Sequence, residues 1–138
     1  MSYDLNVYLQ RSAMPSPSAW KKAIVDAQFP VELDDDFDVD SFTGFLPAPA
    51  RGTESGFEYY SSALTAEDIA ELELAPGLDF SVQFSIGSAP MELVSALAAA
   101  SVLAAVSGGW LYDPQDDHTV APGDAIDWAK AQLAQVAQ

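Results

Sequence analysis

The sequence predicts an α+β fold, with a single mixed sheet of four to five strands and helices packed mainly on one face. Apolar and polar residues alternate over residues 3–9 and again over residues 78–86, which is the period of a half-buried strand. The alanine-rich segment Met91–Val106 predicts a buried helix, and Trp110–Tyr112 predicts a strand after it. A strand, a helix and a strand in this order favour a right-handed crossover with parallel strands, so the predicted plan has a split-βαβ, ferredoxin-like flavour.

The first half of the chain begins with the strand over residues 3–9 and continues into a helix. Ser16 is a typical N-cap, Pro17 is a typical first helical residue, and Pro30 is expected to end the helix. After it we expect a short strand at Val31–Leu33, an acidic loop at Asp34–Asp40, an extended piece at Phe42–Leu46 and a strand at Gly56–Ala63.

The second half begins with Thr65-Ala66-Glu67-Asp68, which has the pattern of a capping box and predicts a short helix to about Leu72. Gly108-Gly109 is expected to end the alanine-rich helix. Asp124 is expected to cap a last helix. Its apolar stripe would consist of Ile126, Ala129, Leu133 and Val136.

The size and composition favour one folded domain spanning residues 1–138. Of the 138 residues, 49% are hydrophobic and 19% are charged, which is too apolar for a disordered chain. The absence of cysteine excludes disulfides and thiolate chemistry. The N-terminal residues lack the basic start and apolar core of a secretion signal, which favours a cytoplasmic location. Met91–Val106 is shorter than the about 20 strongly apolar residues that span a membrane, so we expect a core helix there.

The net charge carries the most functional information. Asp and Glu number 21 and Lys and Arg number 5, which gives a formal charge of −16. Such a field repels nucleic acid and anionic membrane and attracts basic surfaces, so we expect a basic protein as the partner and neither nucleic acid nor membrane. Solubility or adaptation to high salt would give the same composition and stays open as an alternative.

No catalytic, cofactor-binding or metal site is predicted, although acidic residues are abundant. An EF-hand register that starts at Asp36 puts Ser41 where the loop requires glycine, which leaves only loose calcium binding open. His118 is the single histidine and lies in a polar segment without evident partners, so a surface role is expected. Gly108-Gly109 ends a helix instead of opening one and therefore forms no phosphate cradle.

Acidic residues that neighbour aromatic ones make up the predicted binding surface, because interfaces combine aromatic side chains with charged surroundings. The predicted partner-binding residues are Asp34, Asp35, Asp36, Phe37, Asp38, Asp40, Glu58, Tyr60, Asp116 and Asp117. Phe37 and Phe42 fit either the core or an interface. Trp110 and Tyr112 share one face of their strand, and we expect both in the core.

Two segments resemble a known class of proteins. The opening Ser2-Tyr3-Asp4-Leu5-Asn6-Val7-Tyr8-Leu9, together with Gly108-Gly109-Trp110-Leu111-Tyr112-Asp113-Pro114-Gln115 after an alanine-rich helix, is similar to small stand-alone bacterial immunity proteins. Those proteins are encoded beside interbacterial toxins, including type VI secretion effectors. The resemblance implies a non-enzymatic antitoxin that stays in the producing cell and occludes the active site of a toxin. The resemblance assigns no site residue. Asp113-Pro114-Gln115 also fits an ordinary turn that leaves a strand.

We therefore expect an acidic binding protein that inhibits a basic toxin or effector. Two alternatives remain at this point: a small hydrolase that uses a pair of carboxylates, and an adaptor or structural subunit. The oligomeric state and the acidic cluster that touches the partner are not determined by the sequence.

Overall fold

The computed structural model describes residues 3–74, 77–87 and 89–136, with Val136 described by its backbone alone. Within these residues the order of elements is β1 (Tyr3–Leu9), α1 (Pro17–Asp26), β2 (Gly44–Pro47), β3 (Gly56–Ala63), α2 (Ala66–Glu71), β4 (Phe80–Ile86), α3 (Pro90–Ser107), β5 (Trp110–Asp113), β6 (His118–Val120) and α4 (Ala125–Val136). The strands form one open sheet in the order β2-β3-β4-β1-β5-β6. The α+β class is confirmed.

The sheet differs from the predicted one in two ways. Each neighbouring pair of strands is antiparallel, so the sheet is not mixed, and it has six strands instead of four to five. The unpredicted strand is β6, which pairs with β5 in a region predicted as a polar loop. Only Val120 of β6 is buried, so this short edge strand has almost no alternation that a sequence pattern could reveal. The strand expected at Val31–Leu33 forms only an isolated bridge between Val31 and Ala50.

The two strands that flank α3 are parallel to each other, as the crossover rule predicts. β4 and β5 both run antiparallel to β1, which lies between them. Gly108 ends α3 with a φ of 70°, a left-handed conformation that suits glycine. A Cβ on Gly109 would stand 2.7 Å from the carbonyl oxygen of Tyr8. The glycine pair therefore turns the chain out of the helix and lets β5 begin against β1.

One face of the sheet packs on helices. Leu5, Val7 and Leu9 of β1 are fully buried on this face, and α3 contacts four of the strands. α1 begins as predicted, with the Ser16 hydroxyl accepting a hydrogen bond from the amide of Ala19 and with proline at its start. α1 and α4 pack against α3, so α3 is buried from Val94 to Ala104. This central position explains why its sequence is apolar almost all round.

α3 is the helix in the described part of the chain that is long and apolar enough to cross a membrane by length and composition. Its 18 residues have a mean hydropathy of 1.6, and 61% of them are buried inside the fold. A core helix of this kind passes the same test, so length and composition do not identify α3 as a membrane span.

The last helix begins at Ala125, directly after Asp124. Along its predicted stripe, Ala129 and Leu133 are buried and Ile126 packs against the core. The side chain of Val136 lies outside the described residues.

Candidate binding site on the open sheet face

The second face of the sheet is lined by polar and aromatic side chains. Strand register brings these side chains into rows: Tyr60 of β3 stands opposite Gln83 of β4, and Tyr8 of β1 stands opposite Trp110 of β5. Trp110 and Tyr60 are each 37% exposed, although large aromatic side chains are usually buried. We call this surface the open face. It consists of Asp4, Asn6, Tyr8, Phe45, Glu58, Tyr60, Ser81, Gln83, Ser85, Trp110, Tyr112 and Thr119.

A groove of about 600 Å³ lies at the β1–β5 end of the open face. One wall is the sheet itself, with Tyr8, Trp110 and Tyr112. The other wall is apolar. It consists of Leu72 and Leu74, which follow α2, and of Leu78, which precedes β4. Leu72 remains 45% exposed, so the groove presents apolar surface to the solvent.

The apolar wall is positioned by α2, which begins with the capping box that the sequence predicts. The Thr65 hydroxyl accepts from the amide of Asp68, and the Asp68 carboxylate accepts from the amide of Thr65. The bond from the Thr65 amide to the carboxylate lowers the pKa of Asp68 below its usual value, because it favours the ionised form. Glu73 has a φ of 54°, which turns the chain immediately after the helix. Leu72 and Leu74 therefore stand on either side of a sharp bend.

The charged side chains that line the groove are all carboxylates among the described residues. They are Glu71 and Glu73 beside the apolar wall, and Asp117 beside the sheet. The Tyr112 hydroxyl donates to Asp117 Oδ1 over 2.8 Å, and this bond raises the pKa of Tyr112. Burial and, after it, the charge of Asp68 raise the pKa of Tyr8. Both tyrosines are therefore neutral at pH 7, and the negative charge comes from the carboxylates.

The five basic residues of the chain lie elsewhere. Lys21 and Lys22 are on α1 and Lys130 is on α4, with its ammonium 5.5 Å from the centre of the Phe29 ring. Arg51 lines a second cavity of about 370 Å³. Arg11 forms an ion pair with Asp40. The basic side chains thus lie on the helical side of the sheet and in its loops, and none of them neutralises the carboxylates that line the groove.

The acidic loop Asp34–Asp40 is not part of the open face. Phe37 packs against Trp20 and Tyr59, with ring centres 6.3 and 5.4 Å away, and both of these side chains lie on the helical side of the sheet. The Tyr59 hydroxyl donates to the carbonyl oxygen of Val39 over 2.6 Å. The loop is therefore attached to the core, and Phe37 is a partly buried core residue.

Several carboxylates of this loop already have hydrogen-bond partners within the chain. Asp38 Oδ1 accepts from the amides of Asp40 and Ser41. The Arg11 guanidinium donates two hydrogen bonds of 2.6 Å to Asp40 and holds the pKa of that carboxyl below its usual value. Asp35 and Asp36 are exposed. The predicted site residues are thus split between two sides of the molecule.

The remaining predicted site residues lie on or beside the open face. Glu58 and Tyr60 are exposed on β3, and the Tyr60 hydroxyl donates to the Glu58 carboxylate, which raises the pKa of Tyr60. β4 lies between this pair and the groove. Asp116 and Asp117 lie in the turn between β5 and β6, and Asp117 lines the groove.

The prediction that Trp110 and Tyr112 belong to the core is wrong. In β5 it is Leu111 and Asp113 that face the core, and Trp110 and Tyr112 stand on the open face. A carboxylate can occupy the inward position because it is fully hydrogen-bonded: Asp113 accepts from the Tyr3 hydroxyl, the Gln115 amide and the Gln115 side chain. The Gln115 side chain also bonds the backbone of Asp4 at both its amide and its carbonyl. Asp113-Pro114-Gln115 therefore joins the turn to β1.

Other polar clusters have structural roles. The buried Ser95 hydroxyl bonds the carbonyl of Ala48 over 2.6 Å and the hydroxyl of Ser55. His118 is exposed on β6 with its ring 6.4 Å from that of Trp128. Among the described residues, no group of three or more His, Cys, Asp or Glu side chains is arranged to hold a metal ion.

The fold and the site define an α+β protein that exposes a carboxylate-lined aromatic groove on the open face of its sheet. No protein-family model, curated protein or solved structure matches this chain.

Proposed function

We propose that the protein is a non-enzymatic acidic binding protein that docks a basic partner protein on the open face. The observation that carries this proposal is the groove, where the exposed side chains of Trp110 and Leu72 are combined with carboxylates and with no basic side chain among the described lining residues. Binding energy at protein interfaces concentrates in such aromatic positions, while the surrounding charge sets partner choice and encounter rate. The net charge of −16 supports a basic partner.

We propose further that this partner is a toxin or effector, and that the protein is a cytoplasmic bacterial immunity protein. The support is the resemblance of the opening strand and of the segment around Trp110 to immunity proteins. Both segments contribute to the open face, through Tyr8 and through Trp110 and Tyr112. An acidic inhibitor would be attracted into the basic cleft of a toxin that acts on nucleic acid or nucleotides and would block it.

We also interpret the fold as ferredoxin-like with added edge strands. If the edge strands β2 and β6 are set aside, the remaining strands are β1, β3, β4 and β5 in chain order, and their order in the sheet is β3-β4-β1-β5. This order, with α1 between the first two strands and α3 between the last two, supports a split-βαβ plan. β2 and β6 would then be additions at the two edges.

The test is a calorimetric titration against the basic protein encoded in the adjacent reading frame. We expect tight binding whose association rate falls as salt rises, because the steering charges are exposed. Replacement of Trp110 by Ala should weaken the complex by at least about tenfold. The matched charge control is a variant with lysine in place of Asp35, Asp36 and Asp38, on the other side of the molecule. This variant should slow association with little effect on the rate of dissociation. Absence of any interaction with that protein contradicts the proposal.

A second candidate function is that of a carboxylate-dependent hydrolase, which is favoured by the presence of Glu71, Glu73 and Asp117 along one groove. In that case the purified protein would hydrolyse chromogenic esters or glycosides, and Glu73→Gln would abolish the reaction. A binding protein would show no such activity.

A further inference from the structure

We infer that the groove receives an arginine side chain from the partner, held between the aromatic wall and the carboxylates. The inference rests on the proposed function, since it names the feature of a basic partner that the open face recognises. It commits to a protein segment as the occupant and to guanidinium as the chemical group.

The aromatic wall supplies the surface on which a planar cation stacks. Trp110 lies directly across from Tyr8 in the strand register, and Tyr112 follows Trp110 on the same face of β5. Indole is the aromatic ring that attracts cations most strongly, and guanidinium also stacks on it as a flat group. Trp110 is 37% exposed, so its ring is available to a ligand.

The carboxylates stand on both sides of the groove. Glu71 and Glu73 come from the end of α2 and the residues after it, whereas Asp117 comes from the β5–β6 turn. A guanidinium carries five N–H donors in a fixed plane and can bond carboxylates in more than one direction, whereas an ammonium is a point charge. Carboxylates on two walls therefore favour arginine over lysine.

The apolar wall completes the match. Leu72, Leu74 and Leu78 offer apolar surface beside the carboxylates. An arginine side chain has three methylene groups before its charged head, and such stems pack along apolar surface while the head keeps its polar partners. A small hydrophilic cation would leave this leucine surface uncovered.

The other concave and charged regions fit an arginine less well. The second cavity contains Arg51, which would repel a cation. In the acidic loop, Asp40 is already paired with Arg11, and Asp38 is bonded to backbone amides. The groove is the charged concave surface of the described residues at which carboxylates and exposed aromatic rings meet.

The experiment is an NMR titration of the ¹⁵N-labelled full chain at low salt with three capped tripeptides, Gly-Arg-Gly, Gly-Lys-Gly and Gly-citrulline-Gly. Citrulline has nearly the shape of arginine and no charge. The indole N–H signals of Trp20, Trp110 and Trp128 provide three internal reporters. We expect the arginine peptide to shift the Trp110 signal with a dissociation constant on the order of 1 mM, since a single side chain makes the contact. The citrulline peptide should bind at least about tenfold more weakly, and the lysine peptide should be intermediate.

Single substitutions test whether the arginine peptide binds in the groove. Asp117→Asn removes one charge and keeps a residue that tolerates the φ of 48° at this position, and it should weaken arginine binding by about threefold to tenfold. Trp110→Ala, followed through the signals of Thr119 and Leu72, should abolish the shifts. Phe45→Ala, an exposed aromatic at the far edge of the open face, and Asp35→Asn, an exposed carboxylate of the acidic loop, are the matched controls and should leave the affinity unchanged.

The outcomes separate this inference from the proposed function. Equal shifts by the arginine and citrulline peptides, or equal affinities for arginine and lysine, overturn the choice of guanidinium. Undiminished binding of the adjacent-frame protein by both Trp110→Ala and Asp117→Asn overturns the groove as the arginine site and leaves the binding role in place. An arginine-specific shift of Trp110 without any binding of that protein supports the groove and contradicts the proposed partner.

Discussion

The two faces of the sheet use the same strands for different purposes. Leu9 and Val7 of β1 are fully buried beneath helices, whereas Tyr8 between them points to the opposite face and lines a groove. Three basic residues lie on α1 and α4, and the groove contains carboxylates as its charged groups. Strand alternation thus lets one segment stabilise the core and also line the proposed binding surface. Substitutions on the helical face should act on stability, and substitutions on the open face should act on binding.

The largest effect on stability is expected at Trp20, the largest fully buried side chain. Its indole N–H donates to the carbonyl of Ala99 over 3.0 Å, and its ring contacts Phe84 edge-on. Trp20→Ala leaves a cavity between α1 and the sheet and should lower the free energy of unfolding by about 3–5 kcal/mol. Denaturant unfolding followed by circular dichroism measures this change.

Trp110→Ala is the matched control on the open face. Because Trp110 is partly exposed, its removal should cost less than about 1 kcal/mol. A loss of stability as large as that of Trp20→Ala would show that the open face is a second core. It would contradict the difference proposed between the two faces of the sheet.

A smaller effect is expected at Asp113, which is the core-facing carboxylate of β5. Asp113→Ala removes the acceptor of the Tyr3 hydroxyl and of the Gln115 side chain, so it should destabilise the protein by about 1–3 kcal/mol. Asp113→Asn keeps an acceptor and should lose less. Asp116→Ala, in the exposed turn, should stay within about 0.5 kcal/mol of the parent. If Asp113→Ala is as stable as the parent protein, the cost of burying the carboxylate offsets its hydrogen bonds.

The helices and most strands could be predicted from the sequence because their signals are local. Ser16-Pro17 starts α1, Thr65 and Asp68 form the capping box of α2, and the alternation over residues 78–86 predicts the strand that the structure shows as β4. Each of these patterns depends on neighbouring residues and on burial of one face. They were sufficient for the α+β class and for the parallel direction of β4 and β5.

The groove could not be predicted because its walls meet through tertiary contacts. Hydrophobicity favours Trp110 and Tyr112 as the inward residues of β5, and the reverse arrangement depends on Tyr3, which is distant in sequence. Leu72 and Leu74 have no pattern that shows which surface they cover. The density of charge favoured Asp34–Asp40 as a binding surface, although carboxylates of that loop are hydrogen-bonded within the chain. Acidic composition therefore predicts the sign of the charge that a partner would carry but not the surface at which it would bind.

The smallest effect is a pH dependence that distinguishes the two faces through their tyrosines. Burial raises the pKa of Tyr59 beneath the helical face, and the hydrogen bond to Asp117 raises the pKa of Tyr112 on the open face. A group with a raised folded-state pKa contributes stability below its unfolded value, near pH 10, and loses it as the pH rises toward the folded pKa. Absorbance at 295 nm should therefore show less tyrosinate at pH 10 in the folded protein than in the unfolded chain, where about half of the tyrosines are expected to be ionised. Asp117→Asn should move the titration of Tyr112 toward pH 10, whereas Tyr59→Phe should lessen the alkaline loss of stability. If Tyr112 titrates near pH 10 in the parent protein, its hydroxyl is not hydrogen-bonded to Asp117 in solution. The Asp117 carboxylate on the sheet side of the groove would then be free to turn toward a ligand.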